Sequence, residues 1–158
     1  CHANHNKWGE LPSQLVEQIP GYLLPIDELV DLSSLPYLIH ADLTGDHLLG
    51  RVWSSEPGFA ASSTLNWESL AVIDWGDARQ GNILYEMVAL HLDLFQSDLA
   101  LLKIFLEAYN LPDFYQHDFA HKAMCMTLLY QFPMPKRVFA PYHDAPSLDQ
   151  LARQLFGV

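Results

Sequence analysis

Leu38-Ile39-His40-Ala41-Asp42-Leu43-Thr44-Gly45-Asp46-His47-Leu48-Leu49, and further on Ala71-Val72-Ile73-Asp74-Trp75-Gly76-Asp77-Ala78, are the stretches whose reading decides the fold. The first has the pattern H-x-D-L-x-x-x-H and the second reads I-D-W-G. Each runs from a short apolar segment onto an aspartate. Apolar runs of this length, bounded by turn residues, suit buried strands. Pro36 to His40 therefore reads as a strand leading into a loop, His47 to Trp53 as a second strand, and Ser69 to Asp74 as its partner. The Ser, Gly, Pro and Asn of residues 54–69 read as a loop or hairpin tip. A carboxylate just beyond a buried strand has a fixed backbone and an exposed tip. Asp42 and Asp74 both have that placement.

Working outward, helices are expected on either side of this β-region. Leu11 to Ile19 reads as a short helix, with Pro12 in its first turn and Pro20 closing it. A second short helix is expected from Ile26 to Leu32. After the strands, Asn82 to Phe95 places Ile83, Met87, Leu90 and Leu94 three and four residues apart. Ser97 is the expected N-cap of a helix from Asp98 to Tyr109, with Leu101, Ile104, Phe105 and Ala108 as its apolar stripe. Pro112 to Gln131 carries apolar residues too evenly for one face, as in a helix buried on more than one side. Pro133 and Pro135 break it, and Ser147 caps a last helix ending near Phe156. The expected class is α+β, mainly helical, in one domain over residues 1–158, without repeats or low-complexity tracts.

Composition narrows the function. Half of the 158 residues are hydrophobic, enough for a core and too many for a disordered chain. No apolar run approaches the ~20 residues of a membrane helix, so no membrane partner is expected. The start, Cys1-His2-Ala3-Asn4-His5-Asn6-Lys7, is too polar for a signal peptide and has no initiator Met, as in a cut domain. Cys1 and Cys125 form no disulfide or metal framework. Cys125 reads as a small buried hydrophobe, in keeping with a reducing, cytoplasmic compartment. Eight Lys and Arg against 19 Asp and Glu give a net charge of −11. That balance argues against nucleic acid and favours cationic small molecules.

His40, Asp42, Asp46 and His47 lie within eight residues, which raises the possibility of a hydrolytic metal site. A binuclear hydrolase needs a denser histidine cluster and a further H-x-H partner. His117 and His121 are four apart but lack the glutamate of H-E-x-x-H. His2, His5, His91 and His143 have no ligand spacing.

The same motifs resemble those of phosphotransferases. Protein kinases carry H-R-D-L-x-x-x-x-N and, downstream, D-F-G. The match is nearer to the aminoglycoside phosphotransferase family, with its choline- and homoserine-kinase-like members, whose signatures look like H-G-D-L-x-x-x-N-x-L and I-D-[FW]-x-x-A-x-x-G-D. The chain resembles the C-terminal lobe of such an enzyme, which has a protein-kinase-like fold. The resemblance implies a β-hairpin carrying the catalytic loop (38–49) and metal-binding segment (70–78), packed on C-terminal helices (82–156).

That resemblance implies transfer of the γ-phosphoryl group of ATP or GTP to a hydroxyl of a small, cationic acceptor, such as an aminoglycoside-like molecule or amino alcohol. Asp42 would be the catalytic base, and Asp74 with His47 would hold Mg²⁺. His47 departs from the family's Asn, and an imidazole nitrogen is the softer ligand. Some aminoglycoside kinases carry a D-H pair at this point, as Asp46-His47 does here. His40, Asp46, Asp77 and Glu86 would support the site structurally, and Asn82 replaces the acid of the family's G-D. The acids Asp93, Glu107, Asp113, Asp118 and Asp144 are too scattered to define an acceptor site. The N-terminal nucleotide-binding lobe, with its Gly-rich turn and Lys–Glu pair, is absent before His40 and expected in cis, so the fragment alone would be inactive. The alternative is a catalytically silent kinase-like lobe that binds a ligand or a protein.

Overall fold

The structure, a computed structural model, describes residues 11–54, 65–109, 118–134 and 136–158. Cys1, His2, His5, Lys7, Asp113, His117, Pro135 and most of the expected 54–69 loop lie outside the described residues. The fold is α+β, about half helical, with two small antiparallel sheets. Three one-turn helices come first: α1 (Ser13–Val16), α2 (Ile19–Tyr22) and α3 (Ile26–Leu29). Pro20 does not close the first of them. It sits in the opening turn of α2, where a missing N–H costs nothing. α3 stops at Leu29, because Val30 is already extended.

The β-region consists of β1 (Tyr37–Ile39), β2 (Leu48–Ser54), β3 (Leu65–Val72) and β4 (Arg79–Gly81). β2 pairs with β3, as expected, from Leu48↔Val72 to Ser54↔Leu65, with a bulge between Leu49 and Gly50. β3 thus begins at Leu65, four residues before the expected Ser69. β1 pairs with β4, Tyr37↔Gly81 to Ile39↔Arg79. The short β1–β4 sheet contacts α4 (Ile83–Ala89). The β2–β3 hairpin, expected to pack on the helices, instead keeps Val52, Trp67 and Leu70 more than half exposed. Gly50 lets the Trp67 indole lie across β2, since a Cβ there would collide with the Trp67 ring.

The core lies in the helices. α4 continues into a wider π turn (Leu90–Leu94), followed by α5 (Leu99–Tyr109), α6 (Phe119–Leu129), α7 (Lys136–Phe139) and α8 (Leu148–Phe156). α5 is capped by Asp98, whose Oδ1 accepts from the Ala100 and Leu101 N–H groups at 2.8 and 3.1 Å. Ser97, the expected cap, stands in the left-handed region at φ 62°. The buried face of α5 is Leu102 and Leu106, while Leu101 and Ile104 are exposed. Neighbouring residues on a helix stand about 100° apart, so a stripe read from Leu101 in place of Leu102 faces solvent. α6 buries every residue from Ala123 to Leu128, as its uniform hydrophobicity foretold. α8 is capped by Ser147 Oγ, which accepts from Gln150 N at 3.2 Å, and buries Leu148, Leu151, Ala152, Leu155 and Phe156 against α6. Cys125 is fully buried with a free thiol, and burial pushes that thiol's pKa up. Among the described residues no helix is long and apolar enough to cross a membrane.

Candidate functional site

Two departures from ordinary backbone geometry mark the site. Ala41, between β1 and the loop, has φ 69°, and Asp74, two residues beyond β3, has φ 60°. Aspartate tolerates the left-handed region, and alanine does so less readily. Both bends occur just past a strand, so each aspartate is turned out of its sheet.

The Ala41 bend is held by hydrogen bonds from distant elements. Glu86 in α4 accepts from His40 N–H through Oε1 (3.2 Å) and from Ala41 N–H through Oε2 (2.7 Å). One carboxylate thus satisfies two consecutive amides in the left-handed turn. The Tyr130 hydroxyl, just after α6, donates to Ala41 O at 2.9 Å. The same hydroxyl lies 3.3 Å from Asp42 Oδ1. His40 itself is 2 % exposed. Its Nε2–H donates to Ile73 O at 2.7 Å, tying the first loop to the residue before Asp74. Trp75 closes the second turn with an indole N–H to Val72 O at 2.9 Å, and its ring centroid lies 4.9 Å from that of His40.

His47 lies between the two aspartates. Its Nδ1 is 2.6 Å from the backbone carbonyl of Asp42. A carbonyl only accepts, so Nδ1 carries the proton, and in the neutral ring Nε2 keeps its lone pair. That Nε2 is 3.7 Å from Asp74 Oδ2. The imidazole is mostly enclosed, while the Asp74 carboxylate is 70 % exposed. Two electron-rich atoms facing one another this way suit a proton or a cation between them.

His47 therefore links the Asp42 backbone to the Asp74 carboxylate, while His40 and Glu86 hold the backbone of the same turns. Asp46 and Asp77 are exposed and make no side-chain hydrogen bond or ion pair among the described residues. Of the scattered acids, Asp93 accepts from Gly45 N–H at 3.2 Å and pairs with Arg137 at 2.7 Å, so it anchors the tip of the loop. Asp118 pairs with Lys122 and Asp144 with His143. Tyr130 and Tyr85 were not foreseen. Tyr85 accepts from Gln131 N–H at 3.1 Å, its ring lies 4.8 Å from that of Tyr130, and the Arg79 guanidinium stands 5.7 Å from its centroid. No signal in the sequence marks Tyr130, which follows α6 some 88 residues after Asp42.

The donor set suits a hard divalent ion in part. Among the described residues no group of three or more His, Cys, Asp or Glu side chains converges as a metal cage. Mg²⁺ often takes only one or two protein ligands and completes its shell with water and phosphate oxygens. One carboxylate and one imidazole with a free lone pair meet that minimum. No protein-family model matches the chain.

Proposed function

We propose that this chain is the catalytic lobe of a small-molecule kinase similar to the aminoglycoside phosphotransferases. It would transfer the γ-phosphoryl group of ATP or GTP to a hydroxyl of a small, cationic acceptor. The observation that carries the reading is the approach of the Asp42 loop to Asp74 across His47, with Nε2 and Oδ2 3.7 Å apart. The two motifs lie more than thirty residues apart in sequence, and phosphoryl transfer requires them side by side.

In this reading Asp42 accepts a hydrogen bond from the acceptor hydroxyl and takes its proton as the phosphoryl group leaves the nucleotide. His47 Nε2 and Asp74 would hold Mg²⁺. When bound, Mg²⁺ supplies charge neutralisation for the phosphate oxygens. His40 ties the first turn to the second and Glu86 fixes the first, which preorganises the backbone that carries Asp42. The net charge of −11 favours a cationic acceptor over a polyanion.

In the protein joined to a nucleotide-binding lobe, Asp42→Ala is expected to abolish phosphoryl transfer while nucleotide binding persists. Retained turnover in that variant would overturn the assignment. A second reading, a silent lobe that binds without chemistry, is favoured by the His47 bridge itself. A protonated His47 would act as an internal cation for Asp74 and take the place of the metal. Metal-dependent nucleotide binding separates the two readings, since a silent lobe of this kind would bind without divalent ions.

A further inference from the structure

We propose that Tyr130 is a positioning residue for Asp42, its hydroxyl clamping the left-handed Ala41–Asp42 peptide and so fixing where the Asp42 carboxylate points. Its consequence for catalysis rests on the reading of Asp42 as the reactive carboxylate.

The argument starts from the cost of the bend. An alanine at φ 69° is strained and persists only where its surroundings over-determine it. Ala41 is fully buried, so both of its peptide groups must find partners inside the protein. Glu86 takes the amide at 2.7 Å, and Tyr130 supplies the donor for the carbonyl at 2.9 Å. The two contacts come from separate elements, one from α4 and one from the residue that ends α6, and together they hold both peptide groups of Ala41. The Ala41 carbonyl belongs to the peptide bond that joins it to Asp42. Holding that carbonyl therefore fixes the plane from which the Asp42 side chain departs.

The hydroxyl lies at the end of a rigid ring. Tyr130 is 3 % exposed and packs against Tyr85 and Phe132, with ring centroids 4.8 and 5.6 Å away. These contacts hold the ring whether or not it carries a hydroxyl. The one proton of the phenol faces two acceptors, with the shorter distance to the carbonyl. The carboxylate at 3.3 Å lies within reach of the same oxygen, so its position is sensed by the phenol. Burial, and after it the charge of Asp42, pushes the Tyr130 pKa far above the usual tyrosine range, and the phenol therefore stays a donor.

The test uses the chain as it stands, with amide hydrogen exchange and ¹³Cζ-tyrosine spectra on Tyr130→Phe, Asp42→Asn and the double variant Tyr130→Phe/Ala41→Gly. Tyr130→Phe is expected to lower protection of the Ala41 amide by about tenfold, the effect of losing one hydrogen bond, with α8 amides such as Leu151 and Leu155 unchanged. Glycine adopts φ 69° without strain, so the double variant is expected to recover loop protection. Unchanged Ala41 protection, an equal loss in α8, or no recovery with glycine would each overturn the proposal. Should Tyr130→Phe fail to fold, the Asp42→Asn spectrum decides. A moved Tyr130 ¹³Cζ signal supports the clamp, and an unmoved one overturns it. None of these readouts uses nucleotide or metal, so the proposal can fail while the kinase reading stands, and the reverse.

Discussion

At position 47 a histidine stands where the resembled family has asparagine, and the structure gives its two nitrogens different tasks. Nδ1 donates to the Asp42 carbonyl at 2.6 Å, and Nε2 faces Asp74. An asparagine would offer an amide oxygen, a harder ligand than imidazole nitrogen. His47→Asn is therefore expected to shift preference from Mn²⁺ toward Mg²⁺, read by competition between the two ions in a binding titration. No change in that ratio would remove His47 from the proposed ligand set. The residue scale was the most legible part of the sequence. His40, Asp42, His47 and Asp74 stand in motifs that resemble a family's, and the structure sets His40 and His47 against the turns that carry the two aspartates. Asp46 and Asp77, expected to support the site structurally, make no side-chain hydrogen bond or ion pair among the described residues, whereas Asp74 faces His47 Nε2 at 3.7 Å.

Among the elements, α4 matters most to the site, because Glu86 on it caps the two amides of the β1 turn. Glu86→Ala would leave two part-buried N–H groups without an acceptor. A loss of about 2–4 kcal/mol is expected, measurable by urea unfolding. Glu86→Gln, which keeps one acceptor oxygen, is expected to lose less. The π turn after α4 has a second such link. His91 is fully buried and its Nε2–H donates to Leu155 O in α8 at 2.6 Å, while Nδ1 has no partner among the described residues. Burial holds the imidazole below its ordinary value of 6.5, against the opposing pull of the Leu155 carbonyl and Asp98. Below that value the unfolded chain takes up a proton that the folded chain refuses. Stability is thus present above 6.5 and declines as the pH falls through it. A urea midpoint that drops between about pH 7.5 and about pH 5.5, with a smaller drop in His91→Gln, is the expected result. Neither link is written in sequence periodicity, since each joins elements by a single side chain reaching a backbone group.

Across the whole molecule, charge and apolar surface are distributed unevenly. The core is built by α4, α6 and α8, while the β2–β3 hairpin leaves Leu49, Val52, Trp53, Trp67 and Leu70 exposed. A net charge of −11 on a chain of this size repels itself in the compact state. Raising salt from about 10 to about 150 mM shortens the screening length from about 30 to about 8 Å. Thermal unfolding is expected to move upward over that interval. A midpoint independent of salt would mean that the acids are already neutralised locally, as Asp93 and Asp118 are by Arg137 and Lys122.

The sequence by itself determined the α+β class, the antiparallel pairing of β2 with β3, the cap of α8 and the pair of aspartates beyond strands. Those features depend on period, turn chemistry and neighbours a few residues away. Only the tertiary structure decided that β1 pairs with β4 and that Glu86 and Tyr130 both hold Ala41. A strained backbone position is stable only through contacts that surround it in space. Those contacts come from residues 45 and 89 positions away, a separation at which local pattern carries no information.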